Sequence, residues 1–271
     1  MPSRKLLGLP VVLVLGLVLP ATALALGLRA AMRARAANRA MPTSQTKTGV
    51  PQVGALSSSS ATAEHDCTAS VVDSPSGDLL LTAAHCVSAS GAGMVFAPGF
   101  HDGISPYGRW RVTAAHLAPG WVKRQDPRED YAILTVAPQD IDGRTTEIEQ
   151  VTGAYRLGTT AKRGERITVT GYPAGTDNDP ITCRTTVFVT RGFPSFNCHG
   201  YVDGTSGSPW LIDTARGPTI VGVIGGLNQG GCVDYTSYSS PLDRSTRTAY
   251  VRASNDATGD VAPARDSDGC S

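Results

Sequence analysis

The chain has 271 residues, with 24 Lys and Arg against 23 Asp and Glu, 30 glycines, 18 prolines and six cysteines. The mildly acidic balance of the chain beyond residue 40 argues against a nucleic-acid surface, and no CxxC or HExxH spacing offers a metal site. The many glycines and prolines, with short β-branched runs between them, predict an all-β chain with many turns and few helices.

In chain order, the N-terminus comes first as a separate device. Arg4 and Lys5 precede an uncharged apolar stretch over 6–28 with Ala-x-Ala steps at Ala21, Ala23 and Ala25. A basic start, an apolar core and small-residue steps predict an export signal over 1–28 and a secreted protein. The apolar length approaches a membrane span, and Arg29, Arg33, Arg35 and Arg39 follow at once. Attachment through an uncleaved anchor over 6–28, with the domain facing outside, is therefore the alternative. Residues 29–49 are expected to be a propeptide or linker that does not pack. Residues 1–40 hold six of the basic residues and no acidic one, so the remainder carries 18 against 23, a net charge of −5.

From residue 50 onward the pattern changes. Strands are predicted over 68–72, 79–83, 109–113, 131–136, 166–171, 185–191, 209–212 and 219–224. That inventory suits two small antiparallel barrels with a cleft between them, in one domain over 50–255. One helix is predicted near the end, with Ser240 as its cap, Pro241 in the first turn and Asp243 complementing the dipole, running to about Arg252. Residues 256–271 would be a C-terminal tail.

Three short segments carry chemistry. His85 ends the apolar run Leu79-Leu80-Leu81-Thr82-Ala83-Ala84, which reads as a buried strand delivering a histidine to a cleft edge. Asp130 directly precedes Tyr131-Ala132-Ile133-Leu134-Thr135-Val136, where a strand start can pin a partly buried acid. Gly204-Thr205-Ser206-Gly207-Ser208-Pro209 brackets a serine with glycines, whose conformational freedom can lift its Oγ clear of the chain. A serine hydroxyl needs an imidazole to take its proton and a carboxylate to orient that imidazole. All five histidines precede Ser206. That excludes the α/β-hydrolase order of serine, acid and histidine and leaves the order His, Asp, Ser.

These three motifs resemble the signatures of trypsin-like (chymotrypsin-fold) serine proteases, and the resemblance spans about residues 50 to 252. Gly171-Tyr172-Pro173-Ala174-Gly175 and the Gly-Ser-Pro end of the serine loop are most similar to the secreted bacterial branch that includes glutamyl endopeptidases. The resemblance implies two six-stranded antiparallel β-barrels with a C-terminal helix, polypeptide substrates, no cofactor and a monomer. It implies His85 as base, Asp130 as its orienting acid, Ser206 as nucleophile, and the N–H groups of Gly204 and Ser206 as an oxyanion hole. It also implies a Cys67–Cys86 disulfide behind the histidine, which separates His85 from His116 in the similar string Thr113-Ala114-Ala115-His116. In an exported chain an even cysteine count implies further disulfides. Cys183–Cys198 would close a hairpin before the serine loop and leave Cys232–Cys270, with Cys198–Cys232 as the rival pairing.

The chain departs from the family at the pocket. Trypsins that cut after Arg or Lys carry an Asp six residues before the nucleophile, where Gly200 stands here, and Asp203 lies nearer the loop entrance. Glutamyl endopeptidases use a pocket histidine on the following strand, where the matching residue is Ile224. Gly225 and Gly226 are expected to leave the pocket mouth open and to pair with substrate as an added strand. His199 could reach the pocket. These residues suggest an uncharged or apolar substrate side chain. Thr205 replaces the Asp that animal trypsins pair with a new N-terminus, so that activation switch is absent.

Overall fold

The structure, a computed structural model, describes residues 23, 26–29, 32, 41–59, 64–176, 179–264 and 267–270. The chain divides into two compact units, Met1–Met41 and Pro42–Ser271. Most of the expected export signal and about half of the linker (30–31 and 33–40) fall outside the described residues. Among the described residues no helix is long and apolar enough to cross a membrane.

Strands β1 (Gln45–Thr46), β2 (Val53–Ser57), β3 (Cys67–Val71), β4 (Leu79–Thr82), β5 (Val95–Pro98), β6 (Trp110–Leu117) and β7 (Ala132–Val136) fill the first half. β2 to β7 close into an antiparallel barrel in the order β2-β3-β4-β7-β6-β5. The Leu79-Leu80-Leu81 run is apolar throughout because β4 is buried on both faces. Successive side chains of a strand point to opposite faces. Leu80 and Leu134 therefore join Phe96 and Trp110 in one core. Leu79, Leu81 and Ile133 turn the other way, against Tyr172, Val223, Leu242 and Tyr250. That second core joins the barrel to the rest of the domain.

The second half holds β8 (Gln139–Ile141), β9 (Arg144–Thr146), β10 (Arg156–Leu157), β11 (Arg166–Gly171), β12 (Ile181–Thr186), β13 (Phe188–Thr190), β14 (Phe193–Asn197), β15 (Pro209–Thr214), β16 (Gly217–Val223) and β17 (Thr236–Tyr238). One six-stranded sheet runs β1-β12-β11-β15-β16-β10, and β13-β14-β17 form a second. Phe196, Tyr201, Trp210 and Ile224 pack as its core. The expected pair of barrels takes the form of one closed barrel and a second half divided among the six-stranded sheet, the β13-β14-β17 sheet and the separate β8-β9 pair, with β10 parallel to β16.

Among the described residues from Pro42 onward, three α-helices complete the fold: α1 (Pro119–Arg124), α2 (Ile148–Thr152) and α3 (Arg244–Ser254). α3 is the expected C-terminal helix, but its cap is Asp243, not Ser240. The Asp243 carboxylate accepts from Ser245 N, and Thr246 reaches back to the Asp243 N–H. Ser240 donates to Pro127 O instead.

The linker expected not to pack does so from Pro42 onward. β1 pairs with β12, His199 N donates to Pro42 O, and Ser44 N donates to His199 O. Three disulfides are present: Cys67–Cys86, Cys183–Cys198 and Cys232–Cys270.

Candidate active site

β4 ends at Thr82 and the chain turns through a single 3₁₀ turn, Ala84–Cys86, which buries His85. A second 3₁₀ turn, Pro127–Glu129, is capped by the Asp126 side chain and presents Asp130 just before β7. The two residues meet. His85 Nδ1 lies 2.8 Å from Asp130 Oδ2, and the His85 backbone N–H donates to Asp130 Oδ1 at 2.9 Å. Gly226 N–H also donates to Oδ2, at 2.8 Å. A carboxylate only accepts, so this contact places the proton on Nδ1 and leaves the Nε2 lone pair available. Asp130 is fully buried, and its three N–H donors compensate for taking its charge out of water.

The serine loop is fixed from several sides. Gly204 and Gly207 have φ of +90° and +85°, which residues with a Cβ reach with strain. Each also approaches neighbouring chain too closely for a side chain: Gly204 at Ala174, Gly207 at Thr68 O. Thr205 N bonds Val202 O at 3.1 Å, and Thr205 Oγ1 bonds the same oxygen at 2.7 Å. Thr205 is thus satisfied locally, without a charged partner. Gly207 N donates to Ile224 O at 2.8 Å, while no acceptor for the N–H of Gly204 or Ser206 occurs among the described backbone groups.

Sequence reasoning missed Thr68, which ties the loop to the first barrel. Its N–H donates to Ser206 O at 2.8 Å, its Oγ1 donates to Gly204 O at 3.0 Å, and Oγ1 accepts from Tyr172 N at 2.8 Å. Thr82 in turn donates to Thr68 O at 2.7 Å. Position next to Cys67 was the one available signal, because every one of these partners is distant in sequence.

A cavity of about 520 Å³ opens at Ser206, lined among others by Asp203, Ile224, Gly230, Asp234 and Asp268. Gly200 is not in the lining. It faces Ser44, and its N–H lies 3.4 Å from Asp234 Oδ2. Gly225 and Gly226 are absent too, because they pack over Asp130. The Gly225 N–H is occupied by Tyr238 O, so that peptide is not open for strand pairing. His199 lies outside the lining and pairs with Asp234 at 3.5 Å. The cavity is rimmed by three acids, Asp203, Asp234 and Asp268, and no Lys, Arg or His is among its lining residues.

His116 sits within β6, fully buried in effect. Burial and the nearby Arg252 charge hold its imidazole below the ordinary value. Cys67, His85 and Cys86 cluster as a metal site would, but both sulfurs are in a disulfide and His85 Nδ1 is engaged by Asp130. They do not make a metal centre.

Residues 67–223, more than half of the chain, match the trypsin-like peptidase domain. The chain belongs to the trypsin-like peptidase family and is, by class, a serine endopeptidase. Solved structures share its fold. The protease Anisep from Arthrobacter nicotinovorans is 21% identical, with TM-score 0.66 over 79% of this chain and 100% of that one. A thermostable serine protease, AL20, from an extremophilic microorganism is 23% identical, with TM-score 0.63 over 76% and 97%. A Glu endopeptidase is 17% identical, with TM-score 0.59 over 80% and 98%. No curated protein matches by sequence.

Proposed function

We propose that the protein is an exported endopeptidase that cuts polypeptides through His85, Asp130 and Ser206. Ser206 Oγ attacks the scissile carbonyl while His85 Nε2 takes its proton. The imidazolium returns that proton to the leaving amine, and water then opens the acyl-enzyme by the same route. Asp130 holds the ring and stabilises its charged form. The N–H groups of Gly204 and Ser206 donate to the oxyanion, a term of roughly 3–4 kcal/mol per donor.

The observation that carries this reading is the buried Asp130 carboxylate, which binds both the ring and the backbone of His85. An organophosphonate probe tests it. Wild type should label and Ser206→Ala should not; an unlabelled wild type would instead indicate a protein that binds peptides without cutting them.

Export would use residues 1–28, with the segment before Pro42 removed or left as a tether, and the domain acting as a monomer. N-terminal sequencing separates the two fates, since an intact Met1 in the membrane fraction identifies the anchor.

A further inference from the structure

The three disulfides differ in access. Cys67, Cys86, Cys183 and Cys198 are buried, none more than 5% exposed. Cys232 and Cys270 are both exposed, and both line the Ser206 cavity. Exchange requires a thiolate to reach a disulfide sulfur, so exposed bonds are the labile ones.

The exposed bond holds the end of the C-terminal tail. Upstream, the tail has anchors of its own. Asp260 N donates to Ala115 O at 2.7 Å, and Asp260 Oδ2 accepts from Leu117 N at 2.8 Å. Arg252 pairs with the same carboxylate at 2.8 Å. Ala262 N donates to Ala89 O at 2.6 Å, three residues beyond the Cys86 that follows His85. Residues 267–270 are tied differently. Asn228 Nδ2 donates to Gly269 O at 2.7 Å and to Asp268 O at 3.3 Å, and both bonds are exposed. Exposed hydrogen bonds gain little over bonds to water, so the covalent link is what offsets the entropy of ordering this end. The loop that meets it is costly as well: Asn228 and Gln229 have φ of +52° and +49°, the left-handed region that residues with a Cβ avoid. Gln229, Gly230 and Gly231 from that loop line the same cavity as Asp268 and Cys270 from the tail.

We propose that Cys232–Cys270 is a thiol-exchange site, opened by a dithiol, that sets how tightly the Ser206 cavity holds substrate. A thiolate of the dithiol attacks one sulfur and expels the other, which takes up the proton that the attacking thiol released. The second thiol of the reagent then displaces the mixed disulfide. Two cysteine thiols and a cyclic oxidised dithiol result, with two electrons and two protons passed to the protein. Once the bond is open, residues 267–270 leave the cavity lining. Asn228 loses the carbonyls that hold it, and the loop over 227–231 relaxes. Asp130 keeps its bonds to His85, in which the tail takes no part. Opening the bond therefore weakens binding and spares the reacting centre. The proposal rests on the endopeptidase reading for the identity of the substrate, a polypeptide.

Brief treatment with dithiothreitol, alkylation and peptide mapping identify the bond that opens first. Cys232 and Cys270 should be alkylated while the other four cysteines stay paired; earlier opening of Cys67–Cys86 or Cys183–Cys198 would overturn the site. Affinity for a substrate peptide is read by calorimetry on the Ser206→Ala protein, without turnover. Selective reduction should weaken it several-fold, and reoxidation should restore it. Adding Cys232→Ser and Cys270→Ser should give the weak affinity at once, with no response to dithiothreitol. Affinity unmoved by selective opening, or a double variant that binds as tightly as the oxidised protein, would sink the proposal. Phosphonate labelling of the wild type keeps the two readings apart. An unlabelled wild type strikes the endopeptidase reading, whereas labelling with affinity unmoved by reduction strikes the exchange site alone.

Discussion

Asp130 and the Ser206 cavity lie a short way apart and are built on opposite principles. The Asp130 centre is buried, and each carboxylate oxygen is committed to backbone or ring N–H groups. The cavity is open, rimmed by exposed Asp203, Asp234 and Asp268, and partly walled by a tail from the far end of the chain. Buried bonds that depend on one another tolerate little change, whereas exposed charges and tail residues can vary without unfolding the domain. On the proposed function, the contrast separates what would perform the reaction from what would select the substrate.

The largest expected effect breaks the buried side. His85→Ala should remove nearly all turnover, while Asp130→Asn should cost about 10⁴-fold in kcat, as in other triads, by favouring the wrong tautomer. His116→Ala should leave kcat within a few-fold; steady-state kinetics on the three variants decides between the two histidines.

A smaller effect should follow at Thr68. Thr68→Val removes the donor to Gly204 O and the acceptor for Tyr172 N, costing about 1–3 kcal/mol of stability for the buried groups left unpaired. Its turnover should fall while its KM for small substrates holds, and denaturant titration alongside kinetics checks both.

The open side predicts selectivity. Like charges repel across a binding site, so peptides with Glu entering the Ser206 cavity should be cut at least several-fold more slowly than those with Gln. Asp268→Asn should narrow the gap. Faster cleavage after Glu would show that the three acids do not govern entry.

The smallest effect concerns the tail anchor. Burial works to raise the Asp260 carboxyl, but hydrogen bonds from Arg252 and the Leu117 N–H outweigh it and hold the group below its ordinary 3.8. The folded state therefore binds this proton more weakly than the unfolded chain. Its contribution is complete above pH 3.8 and is lost as pH falls through the lower folded value. Asp260→Asn should cost about 1 kcal/mol or less at neutral pH, given the partial exposure of the pair, and that difference should vanish in acid melts.

Local signals made much of this legible. His85, Asp130 and Ser206 each sit in a short string whose role depends on near neighbours, and the Leu79-Leu80-Leu81 run announced a strand with two buried faces. Thr68 left only its place beside Cys67 as a signal, because its bonds reach Gly204 and Tyr172, more than 100 residues on. Gly225 and Gly226 were placed at the pocket mouth because strand position does not reveal that Asp130 lies beneath them. Ser240 and Asp243 both suit a helix cap, and the choice between them fell to tertiary contact with Pro127. The tail's course beside His85 has no counterpart in its own composition.

The two-residue strand Gln45–Thr46 has a further consequence. It covers the outer hydrogen-bonding edge of β12, which would otherwise stand open at the border of its sheet. An uncovered edge is a template for pairing with another chain. Were the N-terminal segment trimmed, a cut before Pro42 would leave this cover in place, while one past Thr46 would bare the edge and favour self-association. The fold would thus set its own limit on any trimming from the N-terminal side.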